Sequence, residues 1–148
     1  MSSARPLRLV LYIQAAAVAL PIVAAAGVAV DQLINKVLGS CAYGNCAASA
    51  PLLVIGGVGL FAGPAWWTIS GARRAGRLTS PQLAWLVAVD VYLLVVGLSL
   101  STQARDHLDA PSASFELPTL IAGAGVVFTA SVSAVACGAR MLQLRRPT

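Results

Sequence analysis

Leu83-Ala84-Trp85-Leu86-Val87-Ala88-Val89-Asp90-Val91-Tyr92-Leu93-Leu94-Val95-Val96-Gly97-Leu98-Ser99-Leu100 is a run of eighteen residues with a single charge. At about 1.5 Å rise per residue, a helix of this length covers most of a hydrocarbon core roughly 30 Å thick. The surface helix of a soluble domain would show a broad polar face at helical spacing, and this run has none. Three further runs of the same kind give spans at about 7–30, 51–70, 82–101 and 117–139. Backbone amides in lipid have no water to bond, so each span must satisfy itself as a helix. The expected fold is all-α, an integral membrane four-helix bundle, with residues 1–148 forming a single membrane domain.

Composition agrees. Apolar residues make up 58% of the chain and charged residues 10%, against about 25% charged in soluble domains. A soluble fold of this size could not bury so much apolar surface. The net charge of +5 sits in short clusters beside the apolar runs, where it directs topology, so no nucleic-acid partner is expected. The expected partners are the lipid bilayer and other membrane protein subunits or a second copy. Nine of the ten basic residues are Arg, and Ala, Gly and Val are abundant, a composition that resembles proteins of bacteria with GC-rich genomes.

Eight of the ten basic residues lie at one end of the spans: Arg5, Arg8, Arg73, Arg74, Arg77, Arg140, Arg145 and Arg146. Lys36 and Arg105 lie at the other end with Asp31, Asp106, Asp109 and Glu116. By the positive-inside rule both termini are cytoplasmic, in the inner membrane of a bacterium, and Trp66, Trp67 and Trp85 fall near the cytoplasmic interface. Ser49 with Pro51, Ser80 with Pro81, and Glu116 with Pro118 are expected to open the last three helices. The first run exceeds the 7–15 residue core of a signal peptide and is taken as a span.

Cys41 and Cys46 occupy the first external connection around the turn residues Gly44 and Asn45. On the oxidising side a local disulfide is the expected state. A redox-active pair is the alternative, as in quinone-linked four-helix thiol oxidoreductases such as the disulfide-bond-forming membrane proteins and the vitamin K epoxide reductase family. Those use a Cys-x-x-Cys pair and a second external pair. Here four residues intervene, and Cys137 lies near the cytoplasmic end of the fourth span. Arg105, Asp106, His107 and Asp109 match no metal-ligand spacing, so neither metal nor cofactor is expected.

Asp90 lies nine residues past Pro81, roughly 13 Å into the bilayer. A charged carboxylate there costs at least about 2.5–3.5 kcal/mol, and no Lys, Arg or His stands at similar depth, so its neutral form is favoured. Counting rise along the antiparallel fourth span puts Ser131 at its level, flanked by Thr129 and Ser133, while Gln14 enters from the first span. Thr129, Ser133 and Cys137 recur every four residues on one stripe. Pro21 and Pro64 free the carbonyls of Ala17 and Leu60 near mid-depth. Asp90 can thus serve as inter-helix glue, as a proton-binding carboxylate in a small proton-coupled transporter, or as an outward-facing group that pairs with a basic or polar residue of another subunit. Gly56, Gly59 and Gly63 give the second helix a packing face that includes Gly-x-x-x-Gly, and Ala122, Gly123 and Gly125 do the same for the fourth.

The connection Arg73-Arg74-Ala75-Gly76-Arg77-Leu78-Thr79-Ser80, after a tryptophan-ended helix, resembles an uncharacterised family of small bacterial four-span membrane proteins whose loop reads Arg-Arg-Gly-Arg-Ile-Phe-Ser. The resemblance implies the four-span layout and no functional residue; Ala75 is an insertion against it. Small multidrug exporters share the size and span number, but they carry their essential carboxylate in the first helix, where this chain has Gln14. With no catalytic constellation present, the expected role is an accessory or interaction subunit of a larger cytoplasmic-membrane complex. A transporter using Asp90 and a quinone- or thiol-linked oxidoreductase using Cys41 and Cys46 are the alternatives.

Overall fold

A computed structural model describes residues 4–37, 46–106 and 116–145. The described chain is all-helical: α1 (Ala4–Val37), α2 (Cys46–Arg73), α3 (Ser80–Asp106) and α4 (Glu116–Arg145). Three of the helices contain stretches long and apolar enough to cross a membrane, at Arg5–Val23, Ser80–Arg105 and Leu117–Arg145.

The helices outrun the expected spans. α1 continues past the span limit at 30 through the polar stretch from Asp31 to Lys36, one of the two arrangements this stretch allows, the other being a separate short amphipathic turn. α2 starts at Cys46, so Ser49 and Pro51 lie inside its first two turns and do not open it. Ala47, Ala48 and Ala50 are strong helix formers, which carries the helix back past the proline. At α3 the N-cap is Thr79, not Ser80. The Leu83 amide bonds the Thr79 carbonyl at 3.0 Å, and the Thr79 amide donates to Gln82 Oε1 at 3.0 Å. That is the return half of a capping box, with Ser80 and Pro81 in the first turn.

Packing has a definite order. α1 lies along α2 and α4, and α3 lies along α4, whereas α2 and α3 approach one another only sparsely. The α1 and α3 backbones face each other across a diagonal. Two apolar layers fill the middle. Leu7 and Leu11 meet Ala72, Ala75, Leu83, Leu86 and Cys137 near the α2–α3 connection. Val18, Phe61, Leu93, Val126 and Ala130 form the layer beyond.

The outside is more apolar than parts of the inside. Leu9, Ile13, Leu20, Val91, Val95, Leu98, Phe128 and Val135 are exposed, while Gln14, Thr68, Asp90, Thr129 and Ser133 are buried. Water would reverse this distribution; hydrocarbon as solvent favours it.

α3 approaches α4 at backbone distance at Gly97 and Gly123. A Cβ on Gly123 would stand 2.5 Å from Ser101 Oγ and 3.0 Å from the Gly97 carbonyl oxygen; one on Gly97 would stand 3.1 Å from the Gly123 carbonyl oxygen. Small residues let the backbones meet. At Gly125 a Cβ would meet nothing within 4 Å. Gly123→Ala is therefore expected to destabilise the purified protein by about 1–3 kcal/mol through overpacking, read as a lower melting temperature in detergent, while Gly125→Ala leaves it unchanged. Equal melting of the two variants would refute this packing.

Candidate functional site

The inward stripe of α3 runs through Leu83, Leu86, Asp90, Leu93 and Gly97, all buried. This spacing of three and four is the apolar stripe of a packed helix, and Asp90 occupies one of its positions. On α1 the matching stripe is Leu7, Leu11, Gln14 and Val18; on α4 it is Val126, Ala130, Ser133 and Cys137. Polar residues therefore stand in the middle of three converging stripes.

Gln14 Nε2 donates a hydrogen bond to Asp90 Oδ1 at 2.5 Å. The bond crosses the bundle diagonal, where α1 and α3 have no backbone packing. Both side chains are essentially sealed, at 0% and 1% exposure. Ser133 lies beside the Asp90 carboxyl, and Cys137 follows one turn further along the same buried stripe of α4. Three oxygens in this seam have no hydrogen-bond partner: Gln14 Oε1, Asp90 Oδ2 and Ser133 Oγ. A neutral carboxyl offers one donor and one acceptor, the complement of a primary amide. The Ser133 hydroxyl is a further donor beside the carboxyl.

Thr129 is buried, but its hydroxyl donates to the Gly125 and Val126 carbonyls of its own helix at 2.8 and 3.2 Å. Ser131, expected level with Asp90, is exposed and donates to the Val127 carbonyl at 2.8 Å. Rise alone put it in the seam, but two residues along a helix turn the side chain by about 200°. Ser133 fills the place instead.

A second polar link joins α3 to α2. Pro64 lacks an amide for the Leu60 carbonyl, and Tyr92 Oη donates to that carbonyl at 3.2 Å. Thr68 Oγ1 bonds the Pro64 carbonyl, and the Ala65 carbonyl at 3.3 Å. Sequence reasoning identified the freed carbonyl but missed Tyr92. The signal was present, since a tyrosine hydroxyl at mid-span must find an acceptor.

On α2, a Cβ on Gly56, Gly59 or Gly63 would meet nothing within 4 Å, and Gly59 and Gly63 are exposed. This face is not the seat of another helix of the described chain. Cys41 of the expected Cys41–Cys46 disulfide lies outside the described residues; Cys137 is buried and free. His107 and Asp109 also lie outside them. Comparison with protein-family models, curated proteins and solved structures gives no match.

Gln14→Leu strands a buried carboxyl without its donor and is expected to cost about 1–3 kcal/mol, measured by denaturant titration in mixed micelles. Asp90→Asn, which presents both a donor and an acceptor to the amide, is expected to cost markedly less. A double-mutant cycle of Gln14→Leu with Asp90→Leu should show coupling of about 0.6–2 kcal/mol; strict additivity would mean the bond contributes nothing.

Proposed function

We propose that this chain is a four-span protein of a bacterial cytoplasmic membrane, with both termini cytoplasmic, that acts as an accessory or interaction subunit of a larger membrane complex. The observation that carries this reading is the face of α2. Gly56, Gly59 and Gly63 stand at intervals of three and four, and a Cβ on any of them would find open space. A small-residue stripe lets another helix approach at backbone distance, where packing and weak carbonyl contacts drive association in lipid.

The intramembrane acid supports the same reading. Asp90 is engaged by Gln14 across the bundle, and the seam around it contains no second carboxylate or base among the described residues. Proton pumps use relays of such groups; a single tied acid suits a structural joint. Eight arginines at one end of the spans support the orientation.

Purification in mild detergent followed by mass spectrometry should recover a second membrane protein, or a further copy of the chain, at fixed stoichiometry. Gly59→Leu and Gly63→Leu are expected to abolish that recovery without lowering the melting temperature, because none of the described residues occupies the space they would fill. Recovery unchanged in both variants would remove the α2 face from the interaction.

One observation favours a second reading. The carboxyl oxygen Asp90 Oδ2 has no partner and is the one group of the seam that can take up and release a proton in a small coupled transporter, with Gln14 Oε1 and Ser133 Oγ beside it as hydrogen-bonding oxygens. Asp90→Asn separates the two: loss of a proton-dependent flux in proteoliposomes with partner recovery intact supports transport, and intact assembly with no such flux in the wild type supports the joint.

A further inference from the structure

We propose that the groove between α2 and α3, at the end carrying their connection, binds the headgroup of an anionic glycerophospholipid with its acyl chains laid along the α2–α3 seam. The proposal rests on the membrane reading above and not on the accessory role.

Among the described helices α2 and α3 are the neighbours that stand furthest apart, approaching only sparsely where the other adjacent pairs pack more closely. Side chains rather than backbones span it. Trp67 and Trp85 meet edge to face with ring centroids 6.3 Å apart, and Tyr92 reaches the Leu60 carbonyl further along. Two adjoining hollows open here, sharing Trp67 and Gln82 as a common wall. The inner one is floored by Gly71 and Leu86 and bordered by Arg74; the outer, of about 370 Å³, lies against Pro81 and Trp85. Gly71 keeps the floor low, since a Cβ there would stand 3.0 Å from Leu86 Cδ1.

The chemistry of the rim is one-sided. Arg73, Arg74 and Arg77 are exposed and make no ion pair among the described residues. Among the described residues the acidic ones are Asp31, Asp106 and Glu116, which belong to the opposite ends of the helices, and Asp90 in the interior. Gln82 accepts from the Thr79 amide through Oε1, which leaves its Nε2 donors turned to no protein acceptor. The indole N–H groups of Trp67 and Trp85 have no acceptor in the described chain either. Guanidinium, amide and indole thus present donors and positive charge, and the complementary ligand is an acceptor-only anion, which a phosphodiester is. Exposed indole faces and the apolar seam below suit acyl chains, and tryptophan favours the headgroup level. Phosphate held by arginine and hydrocarbon held by tryptophan are joined in one molecule only in a lipid.

Every arginine at this end of the bundle attracts anionic lipid non-specifically, so the test must separate a site from a field. Purified protein is reconstituted in nanodiscs containing phosphatidylglycerol or phosphatidylcholine and released for native mass spectrometry. Wild type is expected to retain one phosphatidylglycerol in preference to phosphatidylcholine. Arg74→Gln should lower that preference about fivefold, while Arg145→Gln, which removes the same charge at the same end but away from the groove, should not. Brominated-chain phosphatidylglycerol should quench tryptophan fluorescence more than brominated phosphatidylcholine in wild type and equally in Arg74→Gln. Equal loss in both arginine variants, absence of lipid preference, or displacement of the bound lipid by millimolar inorganic phosphate would overturn the proposal. Failure to insert into nanodiscs at all would instead strike at the membrane reading.

Discussion

A carboxyl group buried midway along a helix bundle can persist only where something donates to it, and here the donor comes from the helix diagonally opposite. The Gln14–Asp90 bond constrains both helices at once. α1 must turn so that Leu7, Leu11, Gln14 and Val18 face inward, and α3 so that Leu83, Leu86, Asp90 and Leu93 do. Once those rotations are set, the two apolar layers close on either side of the polar level. Rotating either helix by one residue would expose the polar group to the surface that now carries Ile13 and Val91. In hydrocarbon that exchange costs several kcal/mol, so one hydrogen bond of modest strength selects the register of two helices.

Other joints follow from the same solvent. Lipid tails offer no hydrophobic drive to bring helices together, so association relies on close packing and internal polar bonds. The first appears at Gly97 and Gly123, where only missing side chains allow α3 to touch α4 through backbone atoms. The second appears wherever a polar group faces the interior or a proline breaks the ladder. Tyr92 answers the carbonyl that Pro64 frees, and Thr129, Ser131, Ser99 and Thr102 return their hydroxyls to carbonyls three or four residues back. Such back-bonding makes a hydroxyl cheap on a lipid-facing surface, which is why Ser131 needs no place in the seam.

Much of this was legible before any coordinates. Run lengths gave helices, and depth counting brought Asp90 and Gln14 to the same interior. Reading failed where angle mattered more than rise: Ser131 shares Asp90's depth but not its side of α4, whereas Ser133 has both. Helix starts at α2 and α3 differ for another reason, since alanine-rich flanks extend α2 past Pro51 and the Thr79–Gln82 pair, not Ser80, caps α3, while α4 opens at Glu116 with Pro118 in its first turn, as expected. Gly59-x-x-x-Gly63 stood out as a motif, yet the intramolecular approach uses Gly97, whose small partner four residues on is Ser101. A motif names residues that can pack; which pair meets is decided by the rotations that the Asp90 joint imposes.

α3 emerges as the hub of the bundle, because it reaches each neighbour by a different device. Asp90 ties it to α1, Gly97 seats it on α4, and Tyr92 holds it to α2 at arm's length. Two of those devices lock the helix, since a buried hydrogen bond and a backbone approach both lose their energy over small displacements. The third, an exposed hydroxyl reaching a carbonyl at 3.2 Å, does not. The α2–α3 seam is sparser than the α3–α4 one, and its mouth carries unpaired arginines and tryptophans, while α2 turns its glycine face outward with nothing of the described chain upon it. A bundle fixed on one side and open on the other has a surface on which other molecules can complete the packing that its own helices leave undone.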